Sequence, residues 1–304
     1  ATDEREVFLS KVLINAGGPW VSDLLLNVLR VNSSEKVRLV RGSHIVVPKM
    51  WSHAKSYFFQ GDDGRIIFAI PYETDFTLIG TTEIDHLELD EKPECTEFEK
   101  NYLVNFANQY FESELKVKDI VWTYSGLRPL QDTSEGNATA VTRDYSIKVN
   151  RKDGVPLINV FGGKITSYRK LAESVMDEVS LFFPQIRGPW TDKAYLPGGD
   201  FPVDGISELI FDVLEAFPFL NGKWAKRLVK AYGKDAFEML GSVRSEDELG
   251  LNFGATLTQK EVEWLIKEEF ATSAEDILWR RSKLGLRLSE LQVKTLRDWI
   301  ASQN

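Results

Sequence analysis

Apolar and polar positions along the chain fall into two rhythms, a strand-like one up to about residue 160 and a helical one over the last third. VFLSKVL runs into the turn Gly17-Gly18-Pro19, and an apolar stretch from Val21 to Leu29 follows, which predicts a strand, a turn and a helix. Between Arg38 and Thr82 the segments RLVRGSHIVV, SYFFQ, RIIFAIP and FTLIGTT are rich in β-branched and aromatic residues. Asp63-Gly64 and Thr74-Asp75 separate them, so they predict an antiparallel sheet. Phe98, Tyr102, Phe106 and Tyr110 then recur at every fourth position, with Glu97, Glu99, Lys100 and Asn101 between them. That spacing predicts a helix covering one face of the sheet. TAVTRDYSIKVN and VPLINVFG flank Arg151-Lys152-Asp153-Gly154 and predict a hairpin.

FGGKITSYRKLAESVMDEVSLFF places glycines between a strand and a helix with the stripe Leu171, Val175, Val179 and Phe182, which Pro184 ends. Residues 186–206 hold many Gly and Pro and little periodicity, and read as a linker at a domain boundary. Beyond it the period is helical throughout. Thr258 to Glu261 and Ser289 to Gln292 carry capping-box signatures, and Ser273 is a further N-cap candidate, so residues 207–304 are expected to be all-α.

A length of 304 residues, 43% of them hydrophobic, suits about two globular domains. With 37 Lys and Arg against 46 Asp and Glu, the net charge of -9 offers no overall attraction for nucleic acid or an anionic bilayer. The single cysteine, Cys95, excludes an intrachain disulfide framework and is compatible with a reducing, cytoplasmic setting. No run is long and apolar enough to span a membrane, and the opening residues lack a signal-peptide layout. Peripheral contact with the inner face of a membrane stays open, and WAKRLVK and LWRRSKLGLR are the basic, Trp-containing stretches that would serve it. Core tryptophans and solvated helix faces are the alternative.

Neither GxGxxG nor a P-loop is present, and no HExxH, CxxC or GxSxG occurs. The three histidines do not cluster, so no metal site is expected. What calls for explanation is a set of polar residues set in apolar strands: His44, Arg128, Arg143 and Lys164. Two arginines could clamp a carboxylate or phosphate with their planar forks. Equally, each could face solvent or pair locally, as Arg143 with Asp144, and His44 could be a satisfied structural histidine. Lys164 follows Gly162-Gly163 at a helix start, where its charge opposes the helix dipole and a nearby anion would explain it. The Gly17-Gly18 turn likewise reads either as an anion-facing turn or as an ordinary connection.

Taken in order, RLVRGSHIVVP, FTLIGTTEID, DIVWTYSGLRPL, ATAVTRDYSI and VFGGKITSYRKLAE, with AYLPGG and LWRRSKLGLRL further on, resemble the FAD-dependent glycerol-3-phosphate dehydrogenases over essentially the whole chain. The resemblance implies an α+β fold: the antiparallel-sheet substrate domain of a glutathione-reductase-like FAD oxidoreductase, followed by an all-α C-terminal domain. Residues 1–37 would be a remnant of the FAD domain, 38–160 the substrate domain with 120–130 near the flavin, and 161–185 a return to the FAD domain. The Rossmann half that precedes these segments in the family is missing, so the chain alone is expected to be an inactive fragment that does not hold FAD tightly. In the implied enzyme Arg128 and Arg143 hold the substrate phosphate, His44 accepts the hydroxyl proton, and Lys164 lies beside the flavin. Gly17, Gly18, Gly163, Lys164, Thr166 and Ser167 approach the cofactor, and Gly17 stands where the family carries a hydroxyl residue. The reaction would convert sn-glycerol 3-phosphate to dihydroxyacetone phosphate, with hydride passing to FAD and electrons to a quinone. The alternatives are a glycerophosphate oxidase that uses oxygen, and a non-catalytic interaction or membrane-contact module. No oligomeric state is implied.

Overall fold

The structure is a computed structural model that describes residues 5–32, 37–61, 63–89, 92–131 and 144–303. The chain divides into two compact units, Ala1–Asp192 and Lys193–Asn304. Strands and helices of the first unit are, in order, β1 (Leu13–Asn15), α1 (Val21–Asp23) continued by a π-helical stretch Leu24–Val28, β2 (Val37–Pro48), β3 (Tyr57–Gln60), β4 (Ile66–Tyr72), β5 (Phe76–Gly80), β6 (Ile84–Asp85), α2 (Glu97–Asn108), β7 (Trp122–Gln131), β8 (Tyr145–Lys152), β9 (Val155–Gly162) and α3 (Tyr168–Ser180).

β3, β4, β5 and β2 pair in that order in an antiparallel sheet; β6 continues along β2 beyond β5, and β7 pairs with β2 on its other side. Alternation decides which side chains it buries. Ile67 and Ala69 of β4 are buried while Ile66, Phe68 and Ile70 are exposed, the period expected of a sheet with one covered face. Ile45, Val47, Ile67, Ala69 and Ile79 pack against Leu103, Val104, Phe106 and Ala107 of α2, and each fully buried aliphatic chain contributes roughly 1.5–3 kcal/mol. The four-residue aromatic line is not the buried stripe of α2, because Phe98 is 72% exposed. Each four-residue step advances about 40° past a full turn, so such a line winds off any single face.

The hairpin β8–β9 joins β1 in a second sheet, with β1 parallel to β9. This corrects the assignment of residues up to 160 to the antiparallel sheet. β9 is buried on both faces: Leu157 and Phe161 meet Val21 and Leu25, whereas Ile158 and Val160 meet Val175 and Val179 of α3. An unbroken apolar run is the mark of a strand covered on both sides. Asp153 and Gly154, with φ of 50° and 84°, make the tight turn between β8 and β9. α3 stops at Ser180, before Pro184, so Phe182 lies beyond the helix, beneath the Arg151 guanidinium.

The second unit contains α4 (Ile206–Ala216), α5 (Gly222–Tyr232), α6 (Asp235–Leu240), β10 (Asn252–Gly254), β11 (Leu257–Thr258), α7 (Gln259–Glu269), a π-helical stretch Asp276–Arg281 and α8 (Glu290–Ser302). The antiparallel pair β10–β11 departs from the all-α expectation. Ala255 and Thr256, both at positive φ, turn the chain between these strands. Ser289 and Gln292 form the reciprocal capping box of α8, and Ser273 accepts from the Asp276 N–H. Thr258 makes no side-chain cap, and Glu261 is engaged by a two-pronged ion pair to Arg227, 2.6 Å at each oxygen, and by the Tyr232 hydroxyl. Trp224 is buried in this unit's core, and the partly buried Trp279 packs against that core. Among the described residues no helix is long and apolar enough to cross a membrane.

Candidate active site on the antiparallel sheet

Strand register brings two of the predicted residues together. His44 lies opposite Gly80 of β5 on one side and Tyr124 of β7 on the other, while Arg128 lies opposite Val40. Residues directly opposite share a face, so His44, Tyr124 and Arg128 all point away from α2. The rings of His44 and Tyr124 stack with centroids 4.8 Å apart and planes 9° from parallel.

Two glycines make the floor of this arrangement. A methyl placed on Gly80 would lie 2.2 Å from Cδ2 of His44, and one on Gly42 would lie 2.5 Å from Nη1 of Arg128. The imidazole and the guanidinium therefore rest directly over glycine backbone, which no larger residue permits. Arg128 donates from Nη2 to Oγ1 of Thr81, 3.2 Å away. Burial lowers the pKa of His44 to about 4, with the Arg128 charge adding to the effect, so the ring is neutral at pH 7. Its Nδ1 is buried and, among the described residues, has no hydrogen-bond partner. Burial also raises the pKa of Tyr124, which keeps the phenol protonated. A neutral imidazole beside a fixed cation can take a proton from a ligand whose anionic end the cation holds.

The glycine turns are explained in part by local packing. Gly17 has no room for a side chain, since a methyl there would meet Leu24 Cδ1 at 2.7 Å, and its N–H reaches Asn15 Oδ1 at 3.3 Å. Pro19 supplies no N–H, so this turn offers few amides to an anion. Gly162 and Gly163, at φ of 71° and 99°, bend the chain from β9 toward α3. A methyl on Gly162 would lie 3.7 Å from the carbonyl oxygen of Pro129, which puts the bend against the strand that carries Arg128. Beyond it Lys164 and Thr166 are exposed. Ser167 is committed as a donor, its N–H and hydroxyl both reaching the Lys164 carbonyl, at 3.0 and 2.8 Å. Arg143 lies outside the described residues. Gly42, Gly80, Thr81 and Tyr124 are site residues that sequence reasoning missed. For Gly42 and Tyr124 the signal was alternation, since Gly42 is two positions before His44 and Tyr124 four before Arg128, on the same strand faces.

Residues 1–155 match the family model described as FAD dependent oxidoreductase. The chain belongs to that family. Residues 189–301 match a second model, described as the C-terminal domain of alpha-glycerophosphate oxidase. Among curated relatives of the family, a D-erythritol 1-phosphate dehydrogenase of Brucella abortus is 39% identical over 100% of this chain and 60% of its own length. A glycerol-3-phosphate dehydrogenase of Pseudomonas aeruginosa is 40% identical over 97% of this chain and 58% of its own. The aerobic glycerol-3-phosphate dehydrogenase of Escherichia coli is 35% identical over 98% of this chain and 60% of its own. The chain thus spans about 60% of the length of these relatives. In fold it is similar to a glycerol-3-phosphate dehydrogenase from Bacillus halodurans solved with FAD, with a TM-score of 0.74, 23% identity, and 97% of this chain and 62% of that one covered.

FAD is the cofactor of this family. The described residues fit it at the bend after β9, where two positive-φ glycines allow close approach and Lys164, Thr166 and the first amides of the helical turn are exposed.

Proposed function

We propose that this chain carries the substrate side of an enzyme that oxidises sn-glycerol 3-phosphate to dihydroxyacetone phosphate, with quinone as the final electron acceptor. The observation that carries the reading is the neutral His44, its buried Nδ1 lacking a described partner, held over Gly80 beside Arg128. Bound FAD supplies the two-electron acceptor for the hydride leaving C2. Arg128, with Arg143 as a second cation, anchors the phosphate at the far end of the substrate. His44 accepts the C2 hydroxyl proton as the carbonyl forms. Lys164, Thr166 and the amides before Ser167 would hold the FAD at this bend, where they would supply positive charge to it.

The test is Arg128→Ala in the full-length, FAD-loaded enzyme. Losing the phosphate anchor costs about 2–5 kcal/mol, or upwards of 30-fold in kcat/KM for glycerol 3-phosphate, with little change for glycerol. Equal losses on both substrates remove Arg128 from the phosphate role.

The Brucella relative favours a second reading, a four-carbon polyol phosphate as substrate. Parallel assays with D-erythritol 1-phosphate and glycerol 3-phosphate separate the two. The match to an oxidase C-terminal domain likewise keeps oxygen as an acceptor; peroxide yield in air against anaerobic turnover with a quinone analogue decides it. Stoichiometric flavin retained on gel filtration of residues 1–304 would refute the expectation that this stretch alone does not hold FAD tightly. Salt-sensitive liposome sedimentation tests peripheral membrane contact.

A further inference from the structure

Behind the candidate site lies a carboxylate that the proposed chemistry does not use. Glu99 of α2 has no exposed surface, yet its carboxylate collects donors on both oxygens. Ser43 and Thr82 hydroxyls donate to Oε1 at 2.7 Å each. On Oε2 the donors are Arg41 Nη2 at 3.0 Å, Thr96 N–H at 2.9 Å and the Thr96 hydroxyl at 2.8 Å. Burial pushes the Glu99 carboxyl up, but the bonds from Thr96, Ser43 and Thr82 outweigh it and hold the group below its ordinary range.

Each tie from the sheet comes from the sequence neighbour of a site residue. Arg41 adjoins Gly42, and Ser43 adjoins both Gly42 and His44. Thr82 follows Thr81, which accepts from Arg128. Ser43 and Ser125 hydroxyls lie 2.7 Å apart; Ser43 spends its one hydrogen on Glu99, so Ser125, the neighbour of Tyr124, donates to Ser43. Strand side chains alternate between faces, so the residues gripping Glu99 point backward and the site residues forward. Thr82 Oγ1 also accepts the Ser43 N–H at 2.9 Å, which ties the segment after β5 to β2 at this level.

We propose that Glu99 is a positioning residue, a buried ionised carboxylate that clamps β2, β7 and the Thr81-Thr82 segment from behind and so sets the placement of His44 and Arg128. The part of this concerning turnover rests on the function proposed above. Two arms of the clamp serve different ends. The Thr82 arm sets Thr81 and hence Arg128, while the Ser43 arm sets His44 and Tyr124.

The test uses the full-length, FAD-loaded enzyme with Thr82→Val, Ser43→Ala and Glu99→Gln. Thr82→Val is expected to raise KM for glycerol 3-phosphate about tenfold with kcat changed less than threefold. Ser43→Ala is expected to lower kcat about tenfold with KM nearly unchanged, and Glu99→Gln to do both. A purely structural role would instead lower kcat in all three through loss of active protein and leave KM as in wild type; that result overturns the proposal. A second readout is independent of substrate. With histidine-selective 13C labelling, the His44 ring resonance, assigned by its loss in His44→Asn, moves in Ser43→Ala and Glu99→Gln. A resonance unmoved in both variants, with melting showing them folded, overturns the proposal even where no turnover is seen. A moved resonance in a protein that oxidises no polyol phosphate keeps the clamp and rejects the functional reading.

Discussion

Gly80→Ala separates the site from the fold. The added methyl would sit 2.2 Å from His44 Cδ2, 2.7 Å from Cγ and 2.9 Å from Nε2, whereas ordinary contact begins near 3.4 Å. The imidazole must therefore retreat by about 1.2 Å, and the stack on Tyr124 opens. The crowded atoms belong to a side chain with rotatable bonds, and Gly80 has no positive φ to be strained. The fold is expected to accommodate alanine by giving up the position of the ring. Misplacement of a catalytic group by about 1 Å costs on the order of 100-fold, equivalent to roughly 2.7 kcal/mol. Steady-state kinetics of the full-length, FAD-loaded enzyme with glycerol 3-phosphate, beside thermal melting of the same preparations, is the assay. A kcat/KM reduced about 100-fold with Tm within a few degrees of wild type is expected. A variant that keeps more than half of wild-type kcat/KM would refute the placement of His44 over Gly80 as a requirement for activity.

Three further outcomes follow from other groups. His44 has a folded pKa of about 4 against 6.5 unperturbed, so the unfolded chain binds the extra proton between these values. Stability is then lost as pH falls from 6.5 toward 4, by up to roughly 3 kcal/mol, and an acid titration of unfolding compares wild type with His44→Gln, in which this component is absent. By the same shift, the acid limb of kcat/KM that belongs to His44 falls near pH 4; a limb at 6.5 that His44→Gln abolishes would contradict it. Arg227→Met strands Glu261, which is 2% exposed, and is expected to cost about 3–5 kcal/mol in denaturant unfolding. A loss under 1 kcal/mol would show that the pair is replaceable.

Local pattern carried much of this protein. The strands from Arg38 to Thr82, the Asp153-Gly154 turn and the Ser289 cap are written in neighbouring residues, because turn chemistry and pleat alternation act over a few positions. His44 and Arg128 were legible for the same reason, as polar residues set in apolar strands where burial demands an explanation. Assembly was less legible. β9 was legible as a hairpin strand, but nothing local said that it would be covered on both faces and pair with β1 rather than with the antiparallel sheet. Glu99 and Glu261 show the limit most clearly, since both stand at the third position of a helix and both read from sequence as solvent-facing or capping residues. Glu99 caps and is also drawn under the site by Arg41, Ser43 and Thr82, whereas Glu261 leaves its cap for Arg227. The chain alone determined which segments form strands and helices and where charge sits uneasily among apolar neighbours. Only the tertiary structure decided which carboxylates are buried and which glycines floor the site, because burying a charge depends on partners dozens of residues away.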